Sequence, residues 1–444
     1  MKLKPTQFSI LILVFLLSLF SIPSAQEIKL NIGKTVLDNG LTILTYEDTT
    51  SEVVSYCTFV NAGSREEKPG TTGLAHVFEH MMFRGTEKYP DFDQATNAFG
   101  PESNASTDND YTMYFVNVKK DYLPQIIEIE ADRIRNLRFD NQTFRTELGP
   151  IKEERRRFDV DRPDGFLYSQ LYQLAYKIHP YHHPVVGFEE DLEKNIQIQD
   201  GLDFKNAFYS PSYCTIVIGG NFRTGQVLEL IKKYYGDWAK TPSPDIKIPP
   251  EPEQTEERVK NLVWKDSQII PKILIAYHGP NLNINTDDFC ALKIIQKILF
   301  LRSGRLTKKL YKNLQLVESV DGSMNENKDP GLFVISATLK RGKSIDEVKR
   351  IILDEIEKIK NEPVSELELK KAKNSIKADR FYRMDHPSSI AYAIGYYQLL
   401  AGDYHILLEI DKKYESITPQ IIQKVAQRIF VPTSRTTLTL IPKS

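Results

Sequence analysis

Cysteine is scarce in this chain. Cys57, Cys214 and Cys290 are the only three in 444 residues. An odd, sparse set without metal-ligand spacing excludes a disulfide framework and a cysteine-built metal site. Each lies in an apolar run, so buried free thiols are the default, with room for one disulfide at most. Net charge is equally sparse. The chain sets 58 Lys and Arg against 59 Asp and Glu, for −1 overall. That balance gives no support for nucleic acid or an anionic membrane as the main partner. The densest basic cluster, Arg155-Arg156-Arg157, follows Glu153 and Glu154 and reads as a solvated helix face. Beyond residue 25 no run is apolar enough to cross a bilayer.

The beginning differs. MKLKPTQFSILILVFLLSLFSIPSAQ places Lys2 and Lys4 before an apolar run from Phe8 to Ile22, which ends in small residues at Ala25. This is the pattern of a secretory signal peptide over 1–25, with the cut expected between Ala25 and Gln26. The run is short for a retained membrane anchor. An exported chain is expected, periplasmic if the source is a Gram-negative bacterium. Ordinary globular composition, 41% hydrophobic and 26% charged, leaves the rest to fold as two or three domains.

A proline-rich, polar stretch, KTPSPDIKIPPEPEQTEER (240–258), divides that remainder nearly in half and reads as an extended linker. The halves, 27–239 and 259–444, echo each other. VVSYCTFVNAGSREE precedes the helical run GLAHVFEHMMF, and PKILIAYHGPNLN precedes CALKIIQKILF. Each half closes on a proline-led strand, YSPSYCTIVIGGN (209–221) and VPTSRTTLTLIPK (431–443). The expectation is an α+β fold of two duplicated domains, each an antiparallel-rich sheet packed with helices.

Within the first helical run stands HVFEH. His76 and His80 are four apart, hence on one helical face, where two imidazoles can converge on one zinc ion. Glu79 projects from nearly the same face and can serve as a base beside the metal. Two surface histidines on an ordinary helix give the same spacing. The aligned run in the second half has Lys293, Gln296 and Lys297 at these positions, so the duplicated scaffold folds without histidines there. A third ligand is to be sought among Glu147 and Glu154, seven apart and on one face of the segment FRTELGPIKEERRRF (144–158); Glu153 points away from it.

HVFEH followed by Glu147-x6-Glu154 resembles the pitrilysin/insulinase family of zinc metallopeptidases, which includes the mitochondrial processing peptidases. GPESNASTDNDYTMYF (100–115), HPYHHPVVGFEEDL (179–192) and YSPSYCTIVIGGNF are similar to further segments of that family, so the resemblance covers nearly the whole exported part. It implies one Zn2+ per chain held by His76, His80 and Glu154, Glu79 as general base, and Glu147 as support. It also implies a peptide substrate lying extended along an exposed strand marked by Asn104, Ala105 and Ser106. By composition alone that stretch reads equally as a polar turn. His179, His182 and His183 lie in a loop without helical spacing and are not expected to hold metal.

One family feature is missing. An arginine and a tyrosine, seven apart in the second half, usually join the transition state. The matching stretch LYKNLQLVESV (310–320) has Tyr311 and Glu318 instead. The resemblance therefore implies a zinc-bearing subunit paired with a homologous, zinc-lacking partner that supplies the pair. A non-catalytic peptide-binding or assembly subunit that keeps its zinc is the alternative, and a homodimer using Arg302 or Arg305 is a lesser one.

Overall fold

The echo between the halves is one strand pattern built twice. A computed structural model describes residues 30–242 and 244–443; the signal peptide expected over 1–25 lies outside them. The first sheet contains β1 (Ile32–Val36), β2 (Thr42–Glu47), β3 (Val53–Val60), β4 (Glu102–Thr107), β5 (Thr112–Lys119) and β6 (Cys214–Gly220), in spatial order β1-β2-β6-β3-β5-β4. The second contains β7 (Arg258–Trp264), β8 (Lys272–His278), β9 (Val317–Met324), β10 (Leu332–Leu339) and β11 (Arg435–Pro442), in order β7-β11-β8-β10-β9. Setting aside β1, a hairpin extension, the wiring is identical. In both sheets the first and last strands run parallel and every other pairing is antiparallel. This is the duplicated α+β fold the sequence leads one to expect. The β-branched and aromatic runs VVSYCTFV and KILIAYH become the central strands β3 and β8, buried along nearly their whole lengths.

Six helices position the site and join the two halves: α1 (Leu74–Met81), α2 (Asn141–Arg155), α3 (Pro163–Ala175), α4 (Asp288–Phe300), α5 (Glu366–Tyr382) and α6 (Pro387–Ala401). The first core packs Phe78 and Met81 of α1 and Phe144 and Ile151 of α2 with Val54, Tyr56, Val116 and Val118 of the sheet. The two halves also exchange a helix. Leu167, Leu171 and Ala175 of α3 join a core with Leu274, Val334 and Leu438 of the second sheet. In return α6 lies on the first sheet, with Gly395 against the Phe59 ring and Ala391 against Gly219. Both exchanged helices open on proline, and both carry tyrosines five and nine residues later, Tyr168 and Tyr172 in α3 and Tyr392 and Tyr396 in α6.

Gly395 has a packing reason to be glycine: an added Cβ would stand 2.1 Å from a Phe59 ring carbon. Gly395→Ala is therefore expected to destabilise the fold by about 1–3 kcal/mol through overpacking. Gly225→Ala, where nothing lies within 4 Å, is expected to be neutral or slightly stabilising. Thermal unfolding of the two variants checks the contrast; equal midpoints would refute the exchanged packing.

Among the described residues of the 240–258 stretch there is no helix, and only Arg258 enters a strand, so its final residue belongs to β7 rather than to a linker. It is also fastened. The Glu251 carboxylate accepts from the N–H groups of Lys177, Ile178 and His179 at 2.8, 3.0 and 3.1 Å. The Gln254 amide donates to the Arg435 carbonyl at 2.8 Å. The three cysteines are free and buried. Burial pushes the Cys57 and Cys290 thiols up to about 12, which removes them as nucleophiles at neutral pH. No helix among the described residues is long and apolar enough to cross a membrane.

Candidate active site

Helix α1 starts abruptly, and buried acids anchor it. Gly73 takes a left-handed conformation (φ 98°) as the N-cap. The fully buried Glu67 carboxylate accepts from the N–H groups of Gly73 and Ala75 at 2.7 and 2.8 Å, satisfying donors that the helix cannot pair itself. Asp191 accepts from Thr72 N–H (3.1 Å) and the Thr72 hydroxyl, and that hydroxyl accepts from Phe188 N–H. The first turn of α1 is thus tied to the 183–191 loop, and the HVFEH face is presented at a set angle.

Helix α2 supplies the acids. Asp140 caps its start, accepting from Thr143 N–H at 2.9 Å. Arg155, at its end, donates to the Gly187 carbonyl at 3.0 Å, which ties it to the same loop. Between these ties, Glu154 Oε2 lies 3.4 Å from His76 Nε2 and 3.7 Å from His80 Nε2. Ligand atoms of His76, His80 and Glu154 all fall within 4.8 Å of one another. Three donors sharing one tetrahedral ion at about 2.1 Å stand about 3.4 Å apart, so the set has metal-chelate dimensions. Burial and the neighbouring His80 hold the His76 imidazole down to about 4, leaving it neutral with a free lone pair. Its Nδ1 is buried without a hydrogen-bond partner. A neutral imidazole beside a carboxylate, with no hydrogen bond joining them, suits a cation better than an ion pair. The donor set fits a divalent metal.

Glu147 is buried and reaches His80 Nδ1 at 3.6 Å. Arg84 grips its carboxylate with two nitrogens, at 2.6 and 2.9 Å. Glu153 points outward, as its helical phase requires, and pairs with Arg156 at 2.8 Å. Arg84 lies just beyond the end of α1, so neither its direction nor its acidic partner was readable in the sequence. Arg84→Ala is expected to weaken metal binding by about 10–100-fold, by releasing the group that orients His80. Titration against a competing chelator measures this, and unchanged affinity would remove Arg84 from the site.

Glu79 shares a cavity of about 520 Å³ with His76 and Glu154. Burial raises its carboxyl above the ordinary value, with Thr107 and His80 pulling it back; a divalent cation alongside would lower it further. Stretch 102–107 is a strand, not a turn. β4 forms the outer edge of the first sheet, paired on one side to β5 only. Ala105, Ser106 and Thr107 line the cavity. Asn104 does not, and its amide oxygen accepts from its neighbour's N–H at 2.9 Å. Tyr168 and Tyr172 of the exchanged helix form another wall, with Tyr181 and His183. Sequence reading missed these tyrosines, because nothing in it told that α3 would cross to the second half. His179 pairs with Asp329 at 3.1 Å and His182 with the His179 carbonyl at 3.0 Å, and neither joins the set of His76, His80 and Glu154.

The second half carries the counterpart of this site with different chemistry. Lys297 pairs with Asp379 at 2.7 Å and Lys293 with Glu326 at 2.6 Å, ammonium groups standing where α1 has imidazoles. Tyr311 and Glu318 are both exposed. Arg305 is held by Glu368 at 2.7 and 2.9 Å.

These halves match known ones. The family described as Insulinase (Peptidase family M16) matches residues 42–188, and the Peptidase M16 inactive domain matches residues 195–376. The chain belongs to the M16 family. Zinc protease PqqE of Helicobacter pylori is 27% identical over 438 residues, 97% of either chain. The probable mitochondrial-processing peptidase subunit beta of Arabidopsis thaliana is 25% identical over 407 residues, 89% of this chain and 75% of that one. A crystal structure of a protease from Helicobacter pylori has a TM-score of 0.87 at 26% identity, covering 93% of this chain and 100% of that one. The periplasmic protease PqqL from Escherichia coli shares the fold, with a TM-score of 0.78 at 17% identity; this chain spans 48% of its length. Lys293 and Lys297 fall within the stretch that matches the inactive domain, and an ammonium group offers no lone pair to a metal.

Proposed function

We propose that this M16 chain is an exported zinc endopeptidase that cleaves extended or unfolded peptides, acting as the metal-bearing subunit of a pair. The carrying observation is the convergence of His76, His80 and Glu154 within 4.8 Å, with Glu79 in the same cavity. Those three residues would hold the zinc, one per chain. A zinc ion supplies Lewis acidity and lowers the pKa of water to about 7. Glu79 takes the proton of the attacking water on its carboxylate and returns it to the leaving amine. Arg84 and Glu147 hold the His80 ring in orientation. Tyr168 and Tyr172 narrow the cleft and limit water around the reacting carbonyl. The outer edge of β4 pairs with the substrate backbone, which accounts for a preference for chains without stable structure.

Pairing is favoured by what stands in the second half. Tyr311 carries no cation and an ionised Glu318 cannot donate to an oxyanion. A homologous partner that brings an arginine and a tyrosine completes the site; one relative, the mitochondrial-processing peptidase beta chain, is itself named as a subunit. Arg305 is already engaged by Glu368, which argues against a homodimer built on it. The 1–25 leader supports export and a periplasmic location. The test is metal analysis of the natively purified protein with its associated chains, followed by peptide hydrolysis before and after chelation. Expected are one zinc per chain, a homologous partner without HxxEH, and activity that returns with zinc. A metal-bound pair that binds peptides without cutting them would favour the assembly-subunit reading.

A further inference from the structure

Strand β4 has a cavity on each of its faces. Its register pairs Glu102 with Asn117, Asn104 with Phe115 and Ser106 with Met113. These share one face, and a second cavity of about 680 Å³ opens there, lined by Glu102, Met113, Phe115 and Asn117. Ala105 and Thr107 alternate to the other face and line the cavity of His76 and Glu79, which Ser106 also borders. The hydrogen bond from Asp108 N–H to the Tyr111 carbonyl, 2.8 Å, sets the phase of the β4–β5 ladder. Bonded residues alternate in an antiparallel pair, so 102, 104 and 106 bond inward while 103, 105 and 107 turn their backbone groups outward. A peptide strand added to that edge therefore places successive side chains alternately in the metal cavity and in the second one.

The far wall of the second cavity carries Lys293, Lys297, Arg380 and Arg383, with Glu326 and Asp379 beside them and Glu102 across the cavity. Lys293, Lys297 and Arg380 have acidic partners in Glu326, Asp379 and Asp411. Arg383 is exposed, and among the described residues no carboxylate pairs with it. In the aligned runs the lysine pair takes the positions of His76 and His80, so duplication has left a cleft of similar construction lined by cations rather than by metal donors. Tyr392 and Tyr396 of α6 line it as Tyr168 and Tyr172 of α3 line the first.

We propose that this second cavity is a substrate subsite that takes an acidic side chain, from peptide positions whose side chains point to the sheet face opposite the metal. It rests on the reading of β4 as the strand that pairs with substrate. The complement is a carboxylate with the exposed Arg383, the cation of this cavity that has no acidic partner among the described residues.

The test uses the full chain carrying Glu79→Gln, with fluorescent neutral peptides of about ten residues into which one Glu or one Gln is walked. Fluorescence anisotropy should show Glu favoured over Gln by about tenfold at alternate positions only. Arg383→Glu should abolish that preference, and the conservative Arg383→Lys should retain most of it. Equal binding of Glu and Gln peptides at every position, a preference without alternation, or a preference that survives Arg383→Glu would overturn the proposal. Failure of the peptidase reading is separate: it shows as no cleavage of the neutral peptides by the zinc-loaded native pair, whatever their charge preference.

Discussion

If the chain is the proposed zinc peptidase, Glu79→Gln is expected to lower kcat by about 10²–10⁴-fold while zinc content and thermal stability stay unchanged. The amide keeps the size and most hydrogen-bonding capacity of the side chain but cannot take up a proton at neutral pH. Glu79 follows His76 by three residues, so the helix turns its carboxylate toward the ligand face without placing it among the three donors that converge. It also lines the same cavity as Thr107 of the edge strand β4. A group so placed suits the proposed role of base rather than that of ligand, and the two roles have opposite signatures. A base variant retains zinc and loses turnover, with KM little changed; a ligand variant loses zinc first. Were Glu79→Gln to strip the metal or leave kcat intact, the assignment of Glu79 as base would be wrong.

How far the sequence carried this picture depended on the range of the interactions involved. His76, Glu79 and His80 sit within two turns of one helix, where spacing alone sets direction. The duplication was visible too, because β-branched runs followed by apolar helices recur in the same order, and the two sheets repeat one wiring. Glu147 and Glu154 were a different matter. Their mutual phase was readable, yet nothing local joins α2 to α1, and choosing Glu154 as the ligand needed the family resemblance. The exchange of α3 and α6 was not readable at all. An apolar stripe such as Leu167, Leu171 and Ala175 says that a helix is buried, not which sheet covers it. Glu67 and Arg84 were overlooked for a related reason: charged residues beside a motif are usually solvated, and only the fold shows these two closing on a helix end and on a carboxylate.

The second large effect is expected at Glu154. Glu154→Gln should cost more metal affinity than the roughly 10–100-fold assigned to Arg84→Ala, since it removes a ligand charge rather than its support. Glu154 is the only anionic member of the converging set, so its loss leaves a divalent ion facing two neutral imidazoles. The backbone around it is held independently by Arg155 at the Gly187 carbonyl and by the cap at Asp140, so the change should not unfold α2. Glu147→Gln offers the internal comparison. It sits in the same helix, seven residues earlier, against His80 and Arg84, and should show the smaller loss of a supporting residue. Zinc affinities measured by chelator competition should therefore rank native protein above Glu147→Gln, and Glu147→Gln above Glu154→Gln, with unfolding midpoints of the metal-free proteins nearly equal for native and Glu154→Gln. The reverse order for the two glutamates would move the third ligand from Glu154 to Glu147 and require α2 to turn in the metal-bound protein.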